Sequence, residues 1–344
     1  MTSPERILIV RPSALGDVCR SVPVLASLRA ALPEARIDWL VQDGFADGVR
    51  AHPALDGVVE FPRKRLGRMM RRGNLPGVIG WLNSVRRARY DLVLDCQGLA
   101  RSGIITRWTG AKQRVGDAGA REGARLAYTH RVDTGAIPHT VDKMLALLEP
   151  VGVPLLHEMR LFAPAEDAER AAGDSRFAGR FAVIAPTSRW AGKRWPAERF
   201  AAVARSLLWQ ADGCGVERVV LVGGPGEREQ CGPLLELAAS DDRVVDLIGR
   251  TSVGAMMAAI ERSSLVLACD SAALHIAVGF DRPIVGLYGP TDVSKVGPYR
   301  RENDVIQHTR DGDVLDHKDE RVGTPMMERI TAEEVIDACL ERLG

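Results

Sequence analysis

Aromatic residues are scarce, at 5% of 344 positions, which leaves too few side chains to tile a surface on which bases stack. Net charge is almost absent too. Lys plus Arg number 46 against 45 Asp plus Glu, so no global field calls for a nucleic-acid partner. No apolar stretch approaches the roughly 20 residues of a membrane span. Met1-Thr-Ser-Pro-Glu-Arg6 runs into a strand-like segment without a signal-like apolar region, and a cytoplasmic protein is expected. The cysteines, at Cys19, Cys96, Cys214, Cys231, Cys269 and Cys339, are scattered with no Cys-x-x-Cys spacing. They read as reduced apolar filler, without a zinc or redox role. There is no quotable repeat and no low-complexity tract.

What is present is an alternation of short apolar runs with helical patterns along nearly the whole chain, the βαβ signature of an α/β fold with parallel sheets. Strands are expected at residues 6–10, 36–41, 57–61 and 91–95, then at 181–185, 218–222, 244–247, 265–269 and 283–287. A helical stretch from about Val141 to Val151 ends at Gly152-Val-Pro154. The length suggests about two domains. The expected division is 1–155 and 156–330, with a final helix in 331–344 free to pack back across the first domain.

Two loops carry the strongest chemical signals. Pro186-Thr187-Ser188-Arg189-Trp190-Ala191-Gly192-Lys193-Arg194-Trp195-Pro196 joins a strand's carboxyl end to a helix, where open α/β sheets bind ligands. Hydroxyls, cations and a helix N-terminus make it an anion site. Arg11-Pro-Ser-Ala-Leu-Gly-Asp17 follows the first strand and presents a carboxylate, with helix capping as the plainer role for Asp17. Pro23 shortly afterwards is compatible only with a helix's first turn.

Further loops follow strands of the second half. Gly223-Gly-Pro-Gly226 lacks the Gly-x-Gly-x-x-Gly spacing, yet allows close backbone approach, and Glu227 or Glu229 is placed either to hold ribose hydroxyls or simply to cap. Asp270-Ser271 ends a strand and opens a helix that carries His275 one turn in, and Gly289-Pro290-Thr291 closes another strand. One crevice shared by four such loops explains them more simply than four unrelated turns. The basic run Arg63-Lys64-Arg65-Leu-Gly-Arg68-Met-Met-Arg71-Arg72 reads as a solvated loop or an anion-binding one. The acidic segment from Asp311-Gly-Asp313 to Glu320 reads as solvated surface.

Taken together, Arg11-Pro-Ser-Ala-Leu-Gly-Asp17, Asp95-Cys-Gln97-Gly98-Leu99, Lys193-Arg-Trp195-Pro196, Asp270-Ser271 with His275, and Leu287-Tyr-Gly289-Pro290-Thr291 resemble the motifs of the ADP-heptose:lipopolysaccharide heptosyltransferases of glycosyltransferase family 9. The likeness runs from Ile7 to about Pro298. Asp-x-Gln-Gly-Leu is nearest the branch that adds the first heptose, and Ala-Gly-Lys-Arg-Trp-Pro is more similar to the second-heptose branch. The resemblance implies a metal-independent inverting glycosyltransferase of GT-B architecture, with two Rossmann-like domains whose parallel sheets face a central crevice. It needs no cofactor.

By the same resemblance, Asp17 is the general base and Lys193 neutralises the departing diphosphate of ADP-heptose. Ser13, Gly16, Thr187, Ser188, Glu227, Asp270, Ser271, Ala272 and His275 fall on the donor side. Ala272 stands where the family usually has glycine. Arg63, Lys64, Arg65, Gln97 and Arg101 fall to a Kdo-lipid A type acceptor, and the basic run also suits a peripheral seat on an anionic inner-leaflet membrane. A GT-B-shaped sugar-nucleotide epimerase would leave the basic run without a purpose. A noncatalytic nucleotide-sugar binder would leave Asp17 without one.

Overall fold

The computed structural model describes residues 4–209 and 215–344; Cys214 lies outside them. Two compact units, Met1–Leu161 and Phe162–Gly344, make up the chain. The division falls a few residues beyond the expected 155, because residues after Pro154 stay tied to the first unit. Leu156 exchanges hydrogen bonds with Ser27, whose hydroxyl accepts from the Leu156 amide at 2.8 Å, and Leu161 is buried.

The first unit holds β1 (Arg6–Val10), β2 (Arg36–Gln42), β3 (Gly57–Phe61), β4 (Leu92–Asp95), β5 (Gln113–Asp117) and β6 (His130–Val132). The second holds β7 (Phe181–Ala185), β8 (Arg218–Leu221), β9 (Val244–Asp246), β10 (Leu265–Cys269), β11 (Ile284–Leu287) and β12 (Val305–Ile306). The sheet orders are β3-β2-β1-β4-β5-β6 and β12-β11-β10-β7-β8-β9. Read in opposite directions these are the same Rossmann-like topology, and all pairings are parallel. In each sheet the order reverses between two central strands, β1 and β4 in one, β7 and β10 in the other, and ligands bind outside the carboxyl ends at such a point.

Central parallel strands are covered on both faces, so they appear in the sequence as unbroken apolar runs. Ile7 to Val10 and Leu265 to Cys269 are fully buried. β5, β6 and β12 were not anticipated. β5 and β6 are short and carry polar residues such as Gln113, Arg114, His130 and Arg131, and β12 is only the pair Val305–Ile306, so no apolar run marks them.

The chain after β1 forms two helices, Leu15–Arg20 and Val22–Ala31, with Pro23 in the first turn of the second, where its missing N–H does no harm. The stretch expected as one helix from Val141 is the helix Thr140–Ala146 followed by a 3₁₀ turn, Glu149–Val151. The final helix, Ala332–Leu343, opens with a reciprocal cap in which the Thr331 hydroxyl accepts from the Glu334 amide at 3.2 Å. Its apolar face, Val335, Cys339 and Leu343, joins Leu267 and Leu287 in the core of the second unit. The stripe is completed by the helix Ala197–Leu208 and the second sheet. No helix among the described residues is long and apolar enough to cross a membrane.

Candidate active site

At the reversal point of the first sheet, the β1 and β4 loops are bonded to each other. The Ser13 amide donates to Gln97 Oε1 at 3.3 Å, and the Arg11 guanidinium donates to the Cys96 carbonyl. Asp17 sits in the first turn of the helix Leu15–Arg20, where its carboxylate accepts from the Ala14 amide at 3.3 Å. It is an internal first-turn residue, so the capping role covers only one of its oxygens. The Arg11 guanidinium lies 3.1 Å from Asp17 Oδ2, and Arg20 binds Oδ1. Burial alone would raise this carboxyl's pKa. The charges of Arg11 and Arg20, with the Arg20 hydrogen bond, outweigh it and hold Asp17 well below the usual carboxylate range. The side chain keeps 27% exposure, enough to meet a ligand.

Asp95 is a different kind of residue. Only 1% exposed, it accepts from the Gln97 and Gly98 amides and from the Tyr128 hydroxyl at 2.8 Å, and burial pushes its pKa up. It shapes the turn that presents Gln97. Gly98 completes that turn at φ +68°, a conformation that favours glycine. Gln97 lines a cavity of about 200 Å³ together with Arg11, Asp117, Arg121 and Lys143. Sequence reading had missed the two last cations and Tyr128, since nothing local in Tyr128-Thr-His130 or Asp142-Lys143 marks them. Arg11 and Arg20 were visible in or beside the first motif but had not been weighed as partners of Asp17.

The second sheet's reversal point carries the lysine. Lys193 Nζ lies 2.5 Å from Asp270 Oδ2, with the two side chains 13% and 11% exposed, so the loops after β7 and β10 are joined by an ion pair. Three bonds hold the lysine's loop in place. Trp195, 2% exposed, donates from its indole to the Ile330 carbonyl at 3.0 Å; Arg194 donates to the Ser188 carbonyl at 3.1 Å; and the Ser188 amide donates to Gln230 at 3.3 Å. Thr187 donates to Glu227 Oε2 at 2.6 Å, and the Gly224 amide donates to the same oxygen at 2.7 Å. Glu227 therefore ties the β7 and β8 loops together. The hydroxyl oxygens of Ser271 and Thr291 are buried without a hydrogen-bond partner among the described residues, and a buried polar atom of that kind calls for one. Ala272 is the first residue of the helix Ala272–Gly279, and His275 lies buried in it.

The acidic segment is not plain solvated surface. Asp313 takes two bonds from the Arg329 guanidinium, at 2.5 and 3.0 Å, and the His317 ring meets the edge of Trp190 with centroids 5.8 Å apart. The helix that follows, Glu320–Glu328, lies on the lysine's turn: an added Cβ at Gly323 would come 2.3 Å from the Gly192 carbonyl oxygen. Burial and the Lys193 charge keep the His317 pKa below its ordinary value.

The basic run is also not a loop. It forms the helix Arg63–Arg71, with Leu66 and the half-buried Met69 packed on the first unit's core and the cations turned outward. Among the described residues, Arg63, Lys64, Arg65, Arg68, Arg71 and Arg72 enter no ion pair, although Arg29, Arg50, Arg176 and Arg243 do. Arg63, Lys64 and Arg101 line one large cavity. Gln97 lines the small one, and Arg65 lines neither, so the residues expected on the acceptor fall into two places.

A family model described as glycosyltransferase family 9 (heptosyltransferase) matches residues 81–321. The chain is 29% identical over 309 residues to lipopolysaccharide heptosyltransferase 1 of Pseudomonas aeruginosa, covering 86% of this chain and 82% of that protein. It is 26% identical over 311 residues to lipopolysaccharide heptosyltransferase 1 of Escherichia coli K12, covering 89% and 94%. An E. coli heptosyltransferase solved with ADP shares the fold, with a TM-score of 0.77 at 24% identity over 98% of this chain and 99% of that one. The two parallel-sheet units, with these neighbours, are the make-up of the GT-B architecture. The chain belongs to glycosyltransferase family 9, the heptosyltransferases. It is a glycosyltransferase, which sets aside the epimerase and the noncatalytic binder weighed from the sequence.

Proposed function

We propose that this enzyme moves a heptose from ADP-heptose to an anionic lipopolysaccharide inner-core acceptor of the Kdo-lipid A type, with inversion at the anomeric carbon. The observation that carries the donor half is the Lys193–Asp270 pair at the second sheet's reversal point, beside the unpartnered hydroxyls of Ser271 and Thr291. In the reaction, the acceptor hydroxyl oxygen bonds to the anomeric carbon while the bond from that carbon to the diphosphate breaks. The electron pair leaves with ADP, and the hydroxyl proton goes to Asp17. A diphosphate at Lys193 competes with Asp270 for the ammonium, and the charge it meets there grows as the bond breaks, so the lysine serves departure more than binding.

Asp17 is held low by two arginines and is a weak base in the resting enzyme. It suffices because the attacking hydroxyl becomes strongly acidic only as its new bond forms. Thr187, Ser188, Ala272 and His275 lie in the same strand-end loops and helix and complete the donor side; Glu227 acts on it by fixing Thr187. Ser13 and Gly16 flank the base. Their side of the reaction is the acceptor's as much as the donor's, since Ser13 bonds to Gln97.

On the acceptor side, Gln97 with Arg11, Arg121 and Lys143 suits a carboxylate or phosphate, and Arg63, Lys64, Arg65 and Arg101 suit the remaining anionic groups. The relatives' names support the first-heptose reaction. The unpaired cations of the basic helix support work at an anionic cytoplasmic membrane face, each worth about 1 kcal/mol near such a surface. The test is a mass-spectrometric screen of the purified protein with ADP-, GDP- and UDP-sugars and a Kdo-lipid A acceptor. Transfer of heptose from the ADP sugar is expected. Turnover of a different nucleotide's sugar, or donor consumption without an acceptor, would sink the assignment.

A further inference from the structure

The large cavity of the first unit has a chemistry that a sugar or nucleotide does not fit. It measures about 840 Å³, within the roughly 300 to 1,000 Å³ of small-molecule sites, and lies among the helices Arg63–Arg71, Leu75–Arg87 and Ala100–Trp108. Its floor is hydrocarbon: Leu66 and Leu82 are buried, and Val78 and Trp81 half-buried. Met70 and Ile104 continue that surface outward at 62% and 59% exposure. Among the described residues no hydroxyl, amide or carboxylate side chain lines it, and the Trp81 indole N–H already donates to the Glu60 carbonyl at 3.3 Å. Sugar hydroxyls or a nucleobase placed on that floor, away from the cationic rim, would lose water without gaining partners.

The polar groups at the cavity are all cations, apart from that indole: Arg63, Lys64, Arg68, Arg71 and Arg101, each exposed and none in an ion pair among the described residues. An apolar floor beneath an unneutralised cationic mouth complements one kind of ligand, a hydrocarbon chain bearing an anionic head. We infer that this cavity receives an acyl chain of the glycolipid acceptor, with the mouth cations on the charges of its head group. The choice of lipid rests on the function proposed above; the chain-binding chemistry rests on the cavity.

Gly67 provides a clean probe. It lies in the basic helix and lines the cavity, and a Cβ added there meets nothing nearer than Arg71 Nη1 at 4.0 Å. A Cβ is therefore accommodated there, and Gly67→Leu adds hydrocarbon at the cavity wall while improving helix propensity. Titration of the full chain with cis-parinaric acid, an anionic fatty acid whose fluorescence rises in apolar surroundings, should show saturable binding. Acylated acceptor should displace it, and fully deacylated acceptor should not. Gly67→Leu should weaken the probe by at least about 10-fold, the effect of no longer burying two methylenes, and raise KM for acylated acceptor more than KM for deacylated acceptor.

Absence of probe binding in the wild type, equal binding in Gly67→Leu, or displacement by short-chain phosphatidylglycerol but not by acylated acceptor would each overturn the inference. Heptose transfer with no probe bound would defeat the acyl site alone. Probe binding that Gly67→Leu abolishes, in a protein that transfers nothing to any core acceptor, would defeat the functional reading and leave a fatty-chain site standing.

Discussion

At the scale of single residues, Asp17, the proposed base, and Lys193 are both held by opposite charges, and each arrangement has a measurable consequence. Asp17→Asn removes the proton acceptor but keeps the shape, so turnover should fall by roughly 100-fold or more while ADP affinity stays within a few fold. Near-normal turnover would reduce Asp17 to a helix-turn residue. The arginines give the pH dependence its sign. A carboxyl depressed in the folded protein stays ionised below the ordinary carboxylate pKa of about 3.9, and its share of stability, full above that value, is lost as pH falls from there through the folded value. The acid limb of kcat/KM should lie below the ordinary value. Arg20→Met removes one of the two charges and should move the limb upward; an unmoved limb would mean that a different group titrates. Lys193→Ala should weaken ADP binding and also lower kcat, because its charge meets the diphosphate before and during departure. Isothermal titration with ADP, set beside steady-state rates, separates the two effects.

At the scale of elements, two helices decide how the site is presented. The helix Glu320–Glu328 touches the lysine's turn backbone to backbone through Gly323 and Gly192, which leaves no room for a side chain. Gly323→Val should push that helix off the turn, costing about 1 to 3 kcal/mol as overpacking does, and should raise donor KM more than acceptor KM. Equal effects on both would point to general unfolding. The basic helix tests the acceptor side. Replacing Arg63, Lys64 and Arg65 with alanine should raise acceptor KM and spare donor KM, and added salt should mimic it, since exposed charges are screened over about 8 Å at physiological ionic strength. Kinetics with each substrate varied in turn settle the matter; unchanged acceptor kinetics would return these cations to plain surface. The helix was half legible: Leu66 and Met69 supply its only inward stripe, and that stripe is too short to stand out from the cations around it.

At the scale of the whole molecule, one topology is used twice, and under the proposed function each copy binds a different reactant at its own reversal point. Hydrogen exchange on the full chain should therefore respond in two separate places. ADP should protect amides in the loops around 187–193 and 270–275, and a deacylated acceptor those around 13–17 and 95–98. Protection of the first set by acceptor alone would contradict this division. The central strands and the loops after them were legible in the sequence, because a parallel strand covered on both faces must be apolar along its length and must end in a loop on the same edge as its neighbours. The peripheral strands were not, because polar side chains interrupt β5 and β6 and because β12 is only two residues long.

Local order was thus determined by the sequence alone: which segments become central strands, which loops follow them, and that Asp17 and Lys193 each stand where a strand hands over to a helix. Only the tertiary structure decided who their partners are. Lys193 meets Asp270 across 77 positions of chain, Arg11 reaches Cys96 across 85, and Tyr128 bonds to Asp95 across 33. Such contacts follow from strand order, which brings the ends of non-consecutive strands together, and no spacing along the chain encodes them. The same holds for the final helix, whose apolar stripe fits any apolar surface until the second sheet supplies one, and for the cavity beneath the basic helix, which exists only where three helices leave a gap.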